Sequence, residues 1–152
     1  MHFFSNSINA SFEDALLATK DALKRHGFEV LAEVDMRKAF RKYLARDFRP
    51  YFILSAYDPT LAPHAVQIYD RMGSVLLCNV VVQQQNDGSV DISVVDPATS
   101  MYVINHVELD CIVRELRDHL QTAIEEIEAR PETQRHLPAR EDARPQLVHA
   151  LP

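Results

Sequence analysis

Cys78, Asp58 and His64 are the residues whose side chains and spacing could support chemistry. Cys78 lies in the apolar run VLLCNVVV, where a cysteine could act as a thiolate nucleophile, a thiol-transfer group or a soft metal ligand. His64 follows Asp58-Pro59, so a cleft that brought it to Asp58 or Cys78 would form a metal site or an acid–base pair. No CxxC or HxxxH spacing accompanies these residues. The simpler interpretation is a buried, unreactive Cys78 and a surface His64.

Established catalytic signatures are absent from the sequence. It contains no GxSxG, P-loop, GxGxxG or HExxH motif, and no cysteine pair at zinc-binding spacing. We therefore predict no catalytic residue, no cofactor and no metal site. A binding or accessory role is favoured over an enzymatic one.

A basic segment follows Asp35, which is placed to cap the helix that begins there. One face of that helix is apolar and the other is basic, and Arg37, Arg41 and Lys42 are its candidate contacts. This basic face could bind an anionic group, meet the acidic helix 105–129 of a second copy in a dimer, or simply be solvated. Lys and Arg number 16 against 22 Asp and Glu, a net charge of −6, so we expect no nucleic-acid partner.

The cysteine count and the N-terminal residues bear on the cellular compartment. Cys78 and Cys111 are too few for a disulfide-stapled secreted domain. The N-terminal residues lack the basic start and apolar run of a signal peptide, and no stretch is apolar enough to span a membrane. We expect a cytoplasmic location without membrane insertion.

Hydrophobic periodicity and turn signals predict the elements that must position these residues. The predicted helices cover residues 11–26, 36–46, 60–72 and 105–129, and the predicted strands cover 2–9, 28–34, 51–57 and the hairpin VLLCNVVVQQQ-NDG-SVDISVVD. Gly27 and Gly73 are predicted to end the helices that precede them. The pattern predicts a single α+β domain over residues 1–129, with a mainly antiparallel sheet of four to five strands packed against helices. Residues 130–152, rich in proline and arginine, are predicted to be a flexible tail.

Residues 11–101 resemble the domain of unknown function 302 (DUF302) family. The resemblance is carried by SFEDALLATKDALKRHG, VLAEVD, RPYFILSAYDPTLA, VLLCNVVV, the Asp-Gly hairpin, Asp96-Pro97 and Met101. It implies a compact α+β domain with a curved, antiparallel-rich sheet that is often dimeric, and it implies no established reaction. The positions that the family pattern tends to mark are Asp35, Asp58, Pro59, Ala62, Cys78 and Asn79. This chain has Tyr57 where the family often has a cysteine, which puts a paired-thiol function in doubt.

Our leading prediction is an accessory or small-ligand-binding protein that acts as a homodimer. Its pocket is predicted between the hairpin strands and the 60–72 helix, with these candidate ligand-binding residues: Asp35, Asp58, His64, Cys78 and Asn79. The alternative is a redox or sulfur-transfer protein that uses Cys78, with a metal or anion held near Asp58 and His64.

Overall fold

The structure is a computed structural model that describes residues 2–100 and 105–129. Its strands are β1 (Phe3–Ile8), β2 (Glu29–Asp35), β3 (Tyr51–Tyr57), β4 (Cys78–Gln84) and β5 (Val90–Val95). Its helices are α1 (Phe12–Arg25), α2 (Met36–Arg41), α3 (Leu61–Ile68), α4 (Gly73–Leu76) and α5 (Val107–Glu125), with 3₁₀ turns at Asp70–Met72 and Pro97–Ser100. Met101 and the predicted tail 130–152 lie outside the described residues.

The five strands form one sheet in the order β1-β5-β4-β3-β2, and every neighbouring pair is antiparallel. Helices α1 and α5 contact each other and pack on the same face of the sheet. Buried residues alternate with more exposed ones along β4 and β5. The buried ones face these helices and include Val80, Val82, Val90 and Ile92. The predicted α+β architecture is confirmed.

Local signals set both ends of α1. The Ser11 side chain accepts a hydrogen bond from the Asp14 backbone N–H and is the N-cap of the helix. Gly27 follows the C-cap with a φ of 86°, a conformation that side-chain-bearing residues rarely adopt. The chain then turns Phe28 into the core and enters β2.

An apolar stripe runs along α5 and into the turn after it, and every residue of it is buried: Leu109, Ile112, Val113, Leu116, Leu120, Ala123, Ile124 and Ile127. The helix itself is shorter than the predicted 105–129 and begins after His106, which makes no side-chain capping bond. At its other end, the Asn6 side chain of β1 donates to the carbonyls of Ile124 and Ile127 at 3.0 and 2.8 Å. These bonds join β1 to the end of α5 and to the turn that follows it.

Helix α2 ends five residues before the predicted helix does. Asp35 caps it as predicted, through the backbone N–H of Lys38. Phe40 packs against Phe48 and Tyr51, so the chain has to turn back within a few residues to begin β3 beside the end of β2. Tyr43 lies within the predicted helix 36–46 but outside α2, and its side chain is 88% exposed.

The predicted helix 60–72 is broken, and Gly73 begins α4 rather than ending a helix. Tyr69 is extended, with φ −146° and ψ 110°, and separates α3 from the 3₁₀ turn that follows. The reason lies in the sheet: Cys78, which begins β4, pairs with Ala56 near the end of β3. An unbroken helix over residues 61–76 would carry the chain about 24 Å away from that point.

No helix within the described residues is both long and apolar enough to cross a bilayer.

Candidate functional site

Asp58, Cys78 and Asp96 meet at one end of the sheet. Because the strands are antiparallel, the ends of β3 and β5 lie beside the beginning of β4. Asp58 directly follows β3, Cys78 begins β4 and Asp96 directly follows β5. All three residues are buried, so two carboxylates and one thiol are shielded from solvent at this end.

The two carboxylate oxygens of Asp58 have different partners: one contacts the residues that follow Asp58, and the other contacts α5. Its Oδ1 accepts from the backbone N–H groups of Thr60 and Leu61 at 2.8 and 3.1 Å, which caps the start of α3. Its Oδ2 lies 3.4 Å from Nδ1 of His119, whose side chain is 41% exposed. The imidazole is therefore oriented by a buried carboxylate while part of the ring remains accessible to solvent.

Asp96 makes the corresponding contacts at the end of β5. Its Oδ1 accepts from the Ala98 backbone N–H at 2.9 Å, and its Oδ2 accepts from Nε of Arg117 at 2.8 Å. The hydrogen bond and the negative charge of Asp96 raise the pKa of Arg117 above its ordinary value. The same guanidinium lies 5.4 Å from the centre of the Phe4 ring. The contacts of Arg117 with Asp96 and Phe4 therefore hold α5 against this end of the sheet.

Cys78 is buried on the helix-facing side of the sheet, opposite Ala56. Its Sγ lies 3.9 Å from the carbonyl of Leu76, a weak hydrogen bond. Burial, and secondarily the charge of Asp58, raise the pKa of this thiol to about 12. Since the thiolate is the nucleophilic and metal-binding form, Cys78 is a neutral thiol near pH 7.

A cleft of about 140 Å³ opens beside this end of the sheet. Its lining combines the beginning of β4, the end of β5, α4 and one proline: Ser74, Val75, Leu77, Cys78, Asn79, Val94, Val95 and Pro97. None of these side chains is charged. Its polar side chains are a hydroxyl, an amide and the neutral thiol, so the cleft offers hydrogen bonds beside the apolar side chains of Val75 and Leu77.

Comparison with known proteins places the chain in a family. The family model for "Domain of unknown function DUF302" matches residues 4–127. The chain belongs to the DUF302 family. A crystal structure of an uncharacterised conserved DUF302 protein from Bacillus stearothermophilus superimposes with a TM-score of 0.75 at 20% identity, over 84% of this chain and 98% of that one. This likeness shows the fold, and no curated protein matches the chain in sequence.

In this DUF302 chain, the predicted ligand residues do not form one cluster. Cys78 and Asn79 line the cleft, but adjacent strand residues point to opposite faces, and Asn79 Oδ1 accepts from Ser55 Oγ at 2.7 Å on the exposed face. His64 is exposed on α3, and no described residue bonds to it. Asp35 lies at the far end of the sheet, opposite Phe52 near the start of β3, where it caps α2.

The cleft differs from the predicted pocket in one wall. The hairpin strands line the cleft, and α4 and Pro97 lie where the pocket was predicted to have the 60–72 helix. Asp58 is close enough for its charge to act on the thiol of Cys78, although it does not line the cleft.

The three basic residues predicted to make dimer or anion contacts lie around α2, away from the cleft. Arg41 is within 3.4 Å of Asp47, and both side chains are largely exposed. Lys42 is exposed, whereas Arg37 is half-buried and its Nε has no hydrogen-bond partner among the described residues.

His119, Arg117 and Asp96 were not assigned a role from the sequence. Arg117 and His119 flank the apolar stripe of α5, which gave no sign of what they contact. One available signal was the repeated Asp-Pro pair after a strand, at 58–59 and again at 96–97.

Within the described residues, no group of three or more His, Cys, Asp or Glu side chains could hold a metal ion.

Proposed function

We propose that this DUF302 chain is a binding domain, acting as a homodimer, that holds a small uncharged molecule in the cleft beside Cys78. The observation that carries the proposal is the uncharged lining of the cleft, in which Ser74 and Asn79 offer hydrogen bonds beside the side chains of Val75 and Leu77. Binding sites commonly combine an apolar surface with a few placed polar groups that orient the ligand. A charged ligand would lose hydration here without gaining an opposite charge among the lining side chains.

The volume of the cleft limits the size of the ligand. At about 140 Å³ it has room for about four or five water molecules, taking each as about 30 Å³. It is well below the size of pockets that hold drug-sized molecules. An apolar cavity of about 150 Å³ holds a benzene molecule, so we infer a ligand, or a ligand group, of about six non-hydrogen atoms.

Three probes of nearly the same shape test this proposal: isobutyramide, isobutyrate and isobutylamine, which are neutral, anionic and cationic. We expect isobutyramide to shift the backbone amide NMR signals of Leu77, Cys78, Asn79 and Val95, with a Kd on the order of 1 mM. The two charged probes should produce smaller shifts at the same concentrations, because no lining side chain compensates their charge.

A substitution that fills the cleft, compared with the same substitution elsewhere on the surface, tests whether the shifts arise in the cleft. Ser74→Phe places a ring at the exposed rim residue of α4 and should abolish the shifts, whereas Gln67→Phe adds the same ring on exposed α3 and should leave them unchanged. Shifts that are absent, that favour a charged probe or that survive Ser74→Phe would show that the cleft is not a site for a small neutral ligand.

The alternative is a redox or sulfur-transfer role for Cys78. The observation in its favour is that Cys78 borders the cleft. The pKa of about 12 opposes it, because the reactive thiolate would be scarce at neutral pH. Rapid reaction of Cys78 with a small disulfide in the native protein would favour this alternative over the binding domain.

A further inference from the structure

The outer side of β1 carries backbone hydrogen-bonding groups without a partner in the described chain. Within the described residues, β5 is the only strand that pairs with β1. The carbonyl of His2 accepts from the N–H of Asp96, its register partner, so the even-numbered residues of β1 direct their N–H and C=O groups toward β5. The N–H and C=O groups of Phe3, Ser5 and Ser7 consequently point away from the sheet.

Within the part of the chain that the structure describes, this edge lacks the features that usually prevent edge-to-edge pairing. β1 contains no proline, lysine or other charged residue, and its register with β5 has no bulge. The opposite edge, β2, does have them: a bulge between Val30 and Ala32, and acidic side chains at Glu29, Glu33 and Asp35. β1 is therefore the edge that is open to another strand.

We propose that β1 pairs antiparallel with β1 of a second copy, centred on Ser5, and joins the two sheets into one of ten strands. Ser5 then lies opposite the other copy's Ser5, and Phe3 opposite the other copy's Ser7, so all outward groups of these residues are paired. The inference deepens the homodimer of the proposed function by naming its surface, and it rests on that part of the proposal.

The absence of charged side chains on β1 favours a second copy as its partner. An uncharged strand can pair with itself without placing like charges opposite each other, whereas self-pairing of β2 about Ala32 would set Glu29 against Asp35. Phe3 is 56% exposed and would gain a cross-strand neighbour on the open face of the sheet. Because α5 contacts β1, the pairing also brings together two helices with exposed Asp118 and Glu125 side chains.

Sedimentation velocity across a range of protein and salt concentrations tests this interface. The wild type should reach twice the 17.4 kDa mass of one chain, and salt should strengthen the dimer by screening the two acidic helices. A dimer joined through Arg37, Arg41 and Lys42 to acidic α5 would instead weaken with salt. That result, or a wild type that stays monomeric, would overturn the β1 interface.

Substitutions at Ser5 test the register. Ser5→Pro removes an N–H that β5 does not use, so each copy should stay folded while the dimer weakens at least about tenfold. Ser5→Lys and Ser5→Glu should each be monomeric, and a mixture of the two should form a heterodimer. Gln85→Lys, an exposed residue at the hairpin turn, should remain dimeric. A dimer that survives both Ser5→Pro and Ser5→Lys would exclude this pairing.

Amide hydrogen exchange shows whether a second copy or the chain's own residues cover the outer edge of β1. The N–H groups of Phe3, Ser5 and Ser7 should exchange slowly in the dimer and quickly in monomeric Ser5→Lys. Slow exchange in the monomer would show that the same chain covers the edge, which would contradict the proposal. These experiments report on the edge, and the probe titrations report on the cleft, so either can fail without the other.

Discussion

Asp58 and Asp96 hold equivalent positions at the ends of β3 and β5. Each is buried, precedes a proline and uses Oδ1 to accept backbone N–H bonds from the turn that follows. Each presents Oδ2 to α5, where it meets His119 at 3.4 Å in one case and Arg117 at 2.8 Å in the other. Two buried carboxylates thus fix the sheet end, the following turns and α5 relative to one another.

The Asp96 contacts should contribute measurably to stability. Asp96→Ala removes the acceptor for the Ala98 N–H and the partner of Arg117, and we expect the free energy of unfolding in urea to fall by about 2 kcal/mol. Asp96→Asn keeps one acceptor oxygen and should cost less. Glu128→Ala, an exposed carboxylate, is the control and should change stability little. Equal effects for Asp96→Ala and Glu128→Ala would contradict a structural role for Asp96.

The two cysteines should differ sharply in reactivity. Cys111 is exposed on α5 and Cys78 is buried with a pKa of about 12. In native Cys111→Ser protein, an aromatic disulfide reagent should leave Cys78 unlabelled until denaturant is added, whereas Cys78→Ser protein should be labelled at once. Prompt labelling of the native Cys111→Ser variant would show that Cys78 is accessible.

Asp58 should influence the titration of Cys78. The charge of Asp58 is the second cause of the raised thiol pKa, after burial. Asp58→Asn in the Cys111→Ser background should therefore lower the pKa of Cys78 from about 12, yet leave it above the ordinary 9.0 because burial remains. The pH dependence of the Cys78 Cβ NMR signal measures both values, and it needs no reagent to reach the buried sulfur. An unchanged profile would mean that the charge does not reach the thiol.

Asp91, on the open face opposite Gln83, should make stability depend on pH. Burial raises the pKa of Asp91 above 3.8, and a hydrogen bond from Gln83 opposes part of the rise. The folded state therefore holds this proton more tightly than the unfolded state, so the contribution is favourable below pH 3.8 and is lost as the pH rises through the folded pKa. The difference in unfolding free energy between Asp91→Asn and the wild type should accordingly shift in favour of Asp91→Asn as the pH rises from acid to neutral. Urea unfolding at several pH values measures this, and a difference independent of pH would contradict it.

Local sequence determined most of the elements, because their causes lie within a few residues. Ser11 and Asp14 set the beginning of α1, the Asn-Asp-Gly turn set the hairpin, and the apolar spacing of α5 set its buried face. Helix ends governed by distant contacts were not predicted. The break at Tyr69 follows from the need to return Cys78 to the side of Ala56, which is a requirement of the sheet and not of the helix.

The candidate site divides in the same way. The sequence alone marked Asp58, Cys78 and Asn79, and favoured a buried thiol within an apolar strand. Only the tertiary structure brought His119 to Asp58 across 61 residues and Arg117 to Asp96 across 21, and separated Asp35 and His64 from the cleft. Periodicity shows which face of an element is buried. Which polar side chains meet at a sheet end depends on strand order and helix placement, and these are set by packing across the whole domain.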